Sequence, residues 1–324
     1  MTRAIVLREF GGPPALRIET IDVGDPGPGE LRIRQTAVGV NFHDVYVRSG
    51  LYRTLALPGI PGIEAAGVIE AIGPGVAGFA VGDRIAYATG RYGAYASDRI
   101  LPAELAIRLP PEIDDQTAAT VLLKGLTAEM LVRQVHVIKP GDIVLVHAAA
   151  GGVGRLLCQW ANHLGATVIG TAGSEARAAL ARRMGCEHTI LYREENFVDR
   201  VRDITGGRGV DVAYDSVGKD TFLGSLGCLS IRGHLVNFGQ SSGSVEPFEV
   251  SRLAARSNSV TRPIVFHYFA QRAALESMTA ALFDAMARGV LSVESGTCYP
   301  LAEAAAAHEA LETRQAPGPL LLIP

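Results

Sequence analysis

The sequence predicts an α/β protein in two parts: a β-rich region, then a doubly wound parallel sheet. Three observations carry that prediction. Short apolar runs broken by Gly/Pro turns fill roughly the first hundred residues. Strand and helix patterns alternate from about Asp115 onward. One strand, residues 142–147, runs straight into a glycine turn that opens an amphipathic helix.

In the β-rich part, Gly11-Gly12-Pro13-Pro14, Gly24 to Gly29, Gly59 to Gly62 and Gly73 to Gly82 punctuate segments such as Leu31 to Val38 and Ala66 to Ile72. That spacing predicts a barrel or sandwich. Helical stretches over Gln116 to Val137 lead into strands at Asp142 to His147, Ala166 to Gly170, His188 to Leu191, Val210 to Asp215 and His234 to Phe238. Helical runs follow Ser174, Glu194 and Gly218. Repeated βα units of this length place a ligand at the carboxyl ends of the strands. After Pro263 come a long helix (about Gln271 to Arg288), a short strand near Thr297, a helix over Leu301 to Thr313 and a last strand, Leu320 to Ile323. These late pieces are expected to return to the β-rich part. With no linker in view, the two parts are expected to pack together and leave a cleft.

The turn carries the chemistry. Ile143, Val144, Leu145 and Val146 form the continuous apolar run of a strand covered on both faces. Gly151, Gly152 and Gly154 let the chain turn tightly and approach a pyrophosphate, and Gly154 is expected to let the helix pack closely on its strand. Val153, Leu156, Leu157, Trp160, Ala161 and Leu164 make one helical stripe, and the free amides of that helix face the anion. Ala149 stands where the first glycine of such a motif belongs. In turns of this kind an acidic residue about twenty positions on selects NAD. Here Gly173 and Ser174 occupy the place, Ser174 reads as an N-cap, and Arg177 is within reach of a 2′-phosphate. NADPH is therefore expected over NADH.

The bulk numbers exclude other classes. The 324 residues carry a net charge of −3, and 48% are apolar. Nothing in that balance favours nucleic acid or an anionic membrane. No run reaches the roughly 18 apolar residues a membrane span needs, and the start reads as a strand rather than a signal peptide. Cys158, Cys186, Cys228 and Cys298 are scattered without a C-x-x-C pair, so free thiols in the cytoplasm are expected. None of the eight histidines is spaced as a metal-ligand pair, and no metal is expected.

Several segments together carry a family resemblance: Asn41-Phe42-His43-Asp44-Val45-Tyr46-Val47-Arg48-Ser49-Gly50-Leu51-Tyr52, Pro61-Gly62-Ile63-Glu64-Ala65-Ala66-Gly67 and Leu122-Leu123-Lys124-Gly125-Leu126-Thr127. Further on are Ala148 to Gly154, Tyr214-Asp215-Ser216-Val217-Gly218, Phe238-Gly239-Gln240-Ser241-Ser242-Gly243 and Thr261-Arg262-Pro263. In this order they resemble the zinc-free, ζ-crystallin-like quinone oxidoreductases of the medium-chain dehydrogenase/reductase superfamily over nearly the whole chain. Zinc-dependent relatives carry a cysteine where this chain has Asn41, and Gly-His-Glu where it has Gly62-Ile63-Glu64.

The resemblance implies a GroES-like catalytic domain (residues 1–124, with 265–324 returning to it) around a Rossmann domain (125–264). It implies NADPH between them and a homodimer paired through the last Rossmann strand, near Ser259 to Thr261. Gly152 and Val153 should touch the pyrophosphate; Gly173, Ser174, Arg177 and Tyr192 the adenosine end; Ser216, Phe238, Gly239 and Ser241 the cofactor edge. Asn41 and Thr127 fall near the nicotinamide, with Lys124 close by. Read from the residues alone, Lys124 is a surface charge on a helix, Asn41 a turn residue and Tyr192 a surface aromatic.

Without a metal to polarise a carbonyl, acceptors that are already electron-poor, quinones and α,β-unsaturated carbonyls, are the expected substrates. Tyr46 and Tyr52 are candidate donors to the developing oxygen charge, because a phenol is protonated at pH 7; aromatic packing beside a short helix, or protonation by solvent, are the alternatives. Rival functions are a 2-enoyl-thioester or alkenal reductase, and a protein that binds NADPH for a structural or RNA-binding role.

Overall fold

Strand β1 (Thr2–Leu7) opens the chain and pairs antiparallel with β2 (Leu16–Ile21). The long strand β3 (Glu30–Val40) then delivers the chain to helix α1 (Phe42–Ser49). Strands β4 (Glu64–Ile72), β5 (Arg84–Ala88), β6 (Asp98–Pro102) and β7 (Ile107–Arg108) follow. Helix α2 (Asp115–Met130) comes next. The computed structural model describes residues 1–314 and 318–324.

A βα alternation succeeds it: β8 (Ile143–Val146), α3 (Gly152–His163), β9 (Thr167–Ala172), α4 (Glu175–Arg183), β10 (His188–Leu191) and α5 (Phe197–Ile204). The second half runs β11 (Val210–Asp215), α6 (Phe222–Cys228), β12 (Leu229–Asn237), β13 (Ser259–Thr261) and the short α7 (Val265–Tyr268). The chain closes with α8 (Arg272–Ala287), β14 (Thr297–Pro300), α9 (Ala304–Glu312) and β15 (Leu320–Ile323).

Two compact units result. The first holds Met1–Leu123, Gln271–Thr279 and Val293–Pro324. Its larger sheet runs β14-β15-β3-β4-β5-β7, with β6 also on β3. Strand β3 has eleven residues, enough for its first half to pair with β6 while its end, Val38 to Val40, pairs with β15. Ile5, Leu31, Ile33, Ile69, Ile85, Leu101 and Leu322 fill the core beneath. The late strands β14 and β15 and helix α9 belong to this unit.

The second unit holds Lys124–Ala270 and Ala280–Ser292. Its six strands lie in the order β10-β9-β8-β11-β12-β13, all parallel. The order reverses between β8 and β11, and in such sheets ligands bind outside the carboxyl ends at that reversal. Val144, Leu145 and Val146 are fully buried, the price of a strand covered on both faces being its wholly apolar sequence.

Two boundaries differ from expectation. The helical stretch forecast to Val137 is regular only to Met130 and continues as one wide π turn, Leu131–Val135. There the Leu131 carbonyl accepts from His136 N–H and from the Tyr214 hydroxyl (2.9 Å), a tertiary partner that local periodicity does not reveal. Residues 250–256 form 3₁₀ turns that no apolar period announced.

Candidate coenzyme and acceptor site

In the second unit the chain leaves β8 through His147, Ala148, Ala149 and Ala150 and enters α3 at Gly151. The left-handed residue of this turn is Ala148 (φ 50°), not Ala149 at the missing-glycine position. Such a conformation costs an alanine about 1–2 kcal/mol. Ala149 is buried instead against Gly170, where a Cβ would meet the Ala149 methyl at 2.7 Å. At Gly154 a Cβ would lie 2.4 Å from the Ala148 carbonyl oxygen. Gly154 therefore makes room for the turn's own backbone, where close helix–strand packing was expected. At Gly152 a Cβ would meet the Lys124 side chain, Cδ at 3.0 Å and Cε at 3.2 Å.

Lys124 is thus buried along the turn and is not the surface charge its helix position suggested. Thr127 sits one turn further along α2 on the same face. An ammonium held beside helix-terminal amides is suited to an anion. Val153 is half-buried in the first turn of α3.

Four of the residues expected at the adenosine end lie near one another. Ser174 caps α4, its hydroxyl accepting from Arg177 N–H. Tyr192 lies over Gly173: a Cβ there would come 2.8 Å from the Tyr192 hydroxyl oxygen. Gly173, Ser174, Arg177 and Tyr192 therefore share the carboxyl ends of β9 and β10. The other group meets beyond β11 and β12. Phe238 and Gly239 N–H groups donate to the Asp215 carbonyl, and Ser241 N–H donates to the Ser216 carbonyl. A Cβ on Gly239 would strike Ser216 at 2.6 Å.

Beneath these residues lies a polar layer that the sequence reading missed. Asp215 is fully buried, and its carboxylate accepts from Val217 N–H, Gly218 N–H, Thr221 Oγ1 and Asn237 Nδ2 at 2.7–3.2 Å. An aspartate at the carboxyl end of an apolar strand was the available signal. His147 is also buried, and burial holds its imidazole neutral, although the nearby Asp215 charge pulls the other way.

In the first unit, Asn41 caps α1 and is buried. Its amide donates to Glu64 Oε2 (2.9 Å), while Leu123 N–H donates to Glu64 Oε1 (2.6 Å). Gly39 clears the space, since a Cβ there would sit 2.5 Å from that carboxylate. The Glu64 acceptor fixes the Asn41 NH₂ toward itself and turns the amide oxygen the other way. Tyr46 and Tyr52 come together, ring centroids 5.0 Å apart. His43 lies edge-on to Tyr52 (5.6 Å) and its Nε2 is 3.0 Å from the Tyr92 hydroxyl. Burial pushes the His43 imidazole down to about 4. Neither His43 nor Tyr92 was singled out in the sequence, because Tyr92 is distant along the chain.

A second buried chain anchors α1. Asp44 accepts from Asn41 N–H (2.9 Å) and from the Tyr95 hydroxyl (3.1 Å). Tyr95 then accepts from His308 Nε2 (2.9 Å), leaving Nδ1 to accept from Arg48 (3.3 Å). Arg48 forks onto Glu312, both bonds 2.9 Å. Burial first, then the Arg48 charge, pushes His308 down to about 3. Among the described residues no group of three or more His, Cys, Asp or Glu is arranged to hold a metal ion. No helix among them is long and apolar enough to cross a membrane.

Comparison with known proteins agrees with this geometry. Residues 27–111 match the alcohol dehydrogenase GroES-like domain, and residues 152–282 match the zinc-binding dehydrogenase domain. The chain is 46% identical over 331 residues to a 2-haloacrylate reductase of a Burkholderia species, covering 100% of this chain and 99% of that one. It is 44% identical over 325 residues to a Pseudomonas aeruginosa quinone oxidoreductase, with 100% of both covered. The crystal structure of the Escherichia coli quinone oxidoreductase complexed with NADPH superposes with a TM-score of 0.97 at 44% identity over 100% of both chains. A GroES-like β-rich unit, a Rossmann-type parallel sheet and full-length relatives at this identity place the chain in the quinone oxidoreductase family of the medium-chain dehydrogenase/reductase superfamily.

Proposed function

We propose that this protein is an NADPH-dependent, zinc-independent reductase of quinones or similar electron-poor carbonyl compounds. The observation that carries the reading is the turn itself. Helix-terminal amides at Gly152 to Gly154, with Lys124 laid across Gly152, make an anion cradle that a side chain at Gly152 would crowd. Beyond β9 the chain offers Gly173, Ser174, Arg177 and Tyr192; the acidic neighbour, Glu175, lies in the first turn of α4 and pairs with Arg182, which favours the 2′-phosphate over a ribose 2′-hydroxyl. In the proposal, residues 1–124 with 265–324 form the catalytic domain and residues 125–264 the coenzyme domain.

When bound, the nicotinamide supplies the hydride. The chain's own groups do the rest. Val153 and the turn amides bind the pyrophosphate; Ser216, Phe238, Gly239 and Ser241 border the coenzyme; Asn41 and Thr127 orient the nicotinamide. Tyr46 and Tyr52 donate a hydrogen bond or proton to the acceptor oxygen. Asn41, whose amide is held by Glu64, stands where zinc-dependent relatives carry a cysteine, which supports chemistry without zinc. A homodimer paired through β13 is part of the proposal: β13 is an edge strand, and Ile231, Val250 and Ile264 expose apolar surface in the same unit. A cytoplasmic location rests on four cysteines that remain free thiols.

The deciding experiment follows coenzyme absorbance with NADPH and NADH against a benzoquinone, before and after dialysis with a chelator. NADPH preference that Arg177→Ala abolishes, with activity unaffected by chelation, is expected. Equal use of both coenzymes, or zinc-dependent turnover, overturns the reading. The 2-haloacrylate reductase relative favours one second reading, reduction of an activated carbon–carbon double bond. Turnover of 2-chloroacrylate or a crotonyl thioester in place of the quinone distinguishes it.

A further inference from the structure

The turn before α3 raises a question the coenzyme reading leaves open: what holds Ala148, an alanine, left-handed. The hydrogen bonds answer it. Ala148 N–H donates to Thr171 Oγ1 (3.2 Å), and Ala149 N–H donates to the Thr171 carbonyl (3.1 Å). Gly151 N–H closes the turn on the Ala148 carbonyl (2.8 Å). Thr171 thus grips both amides that flank the left-handed residue.

Behind Thr171 the chain of donors runs in one direction. The Ser225 hydroxyl donates to the Thr221 carbonyl (2.8 Å), so Ser225 accepts from His147 Nε2–H (2.8 Å). That tautomer leaves His147 Nδ1 a lone pair, and the Thr171 hydroxyl donates to it (3.1 Å). With its proton committed to His147, Thr171 Oγ1 presents its lone pairs to Ala148 N–H. His147 and Ser225 are buried, and α6 is thereby tied to the turn that opens α3.

We propose that Thr171, oriented by His147 and Ser225, is a positioning residue for the coenzyme, its hydrogen-bonded clamp holding Ala148 in a left-handed conformation that a glycine would adopt unaided. The inference rests on the coenzyme reading above and deepens it. It makes a specific double-mutant prediction, because a glycine at 148 has no need of the clamp.

The experiment titrates NADPH by coenzyme fluorescence with the full chain and with Thr171→Val, Ala148→Gly and the double variant. Loss of one clamp bond is expected to raise the NADPH dissociation constant by about fivefold in Thr171→Val. In the Ala148→Gly background the same substitution is expected to change it by less than about twofold, and Thr171→Ser is expected to restore the parent value. A general loss of stability would weaken binding equally in both backgrounds. Amide exchange of the coenzyme-free proteins provides the second arm: Ala149 and Gly151 should exchange faster in Thr171→Val and return toward the parent rate in the double variant. Equal losses in both backgrounds, or unchanged exchange in Thr171→Val, overturns the clamp. If the parent chain does not bind NADPH, the coenzyme reading fails, and the exchange arm alone decides the clamp.

Discussion

Gly154→Ala separates the turn's shape from the helix's stability. The added methyl would lie 2.4 Å from the Ala148 carbonyl oxygen and 3.0 Å from Ala149 C and Cα, all backbone atoms that cannot swing aside. Overpacking of this kind costs about 1–3 kcal/mol. Alanine within α3 returns about 1 kcal/mol of helix propensity. Stability to urea should therefore fall by only about 0–2 kcal/mol. The propensity gain does not help the ligand, so the displaced cradle should weaken NADPH by about 5- to 150-fold. Gly173→Ala is the control. Its methyl would meet the Tyr192 hydroxyl at 2.8 Å, the far end of a side chain that can move, and its φ is not left-handed. Its stability should stay within about 0.5 kcal/mol of the parent, with the loss concentrated in the preference for NADPH over NADH. The assay pairs urea midpoints with NADPH and NADH titrations. A Gly154→Ala protein that binds NADPH within twofold of the parent refutes the steric argument.

Acid should destabilise the protein through its buried neutral histidines. His308 sits at about 3 and His43 at about 4 in the folded chain, both below the unfolded value near 6.5. The unfolded state then binds more protons below pH 6.5, so stability is intact above that pH and declines toward pH 3 to 4. His308→Asn and His43→Phe should each flatten the slope of urea midpoint against pH over that window; an unchanged slope in both sinks the assignment. Arg48→Met leaves Gly11 O and His308 Nδ1 without their donor and should cost about 2–4 kcal/mol. Glu312→Gln should cost less, because Glu312 is 35% exposed and its partner side keeps a neutral acceptor; equal losses in the two variants would contradict this. Tyr46→Phe and Tyr52→Phe should slow pre-steady-state reduction of a quinone by about 10-fold or more if a phenol serves the acceptor oxygen. Unchanged rates in both remove tyrosine from the mechanism.

The strand, the glycine turn and the stripe of α3 were legible in the sequence because they obey local rules: a continuous apolar run, a tight turn and a period of 3.6. The same holds for Ser174 as a cap, whereas the edge strand Ser259–Thr261 was expected only from the family resemblance. Family resemblance supplied the grouping of Gly173 with Tyr192 and of Ser216 with Gly239, which spacing alone could not. Tertiary structure decided which polar groups meet. Glu64 reaches Asn41 only because Gly39 vacates the space between strands, and Tyr95 finds Asp44 and His308 from positions 51 and 213 residues away. Lys124 left the solvent for Gly152, and Ala148 took a glycine's conformation. Periodicity encodes which face of an element is buried; it carries no information about the hydrogen-bond partner waiting there, and that partner sets the chemistry.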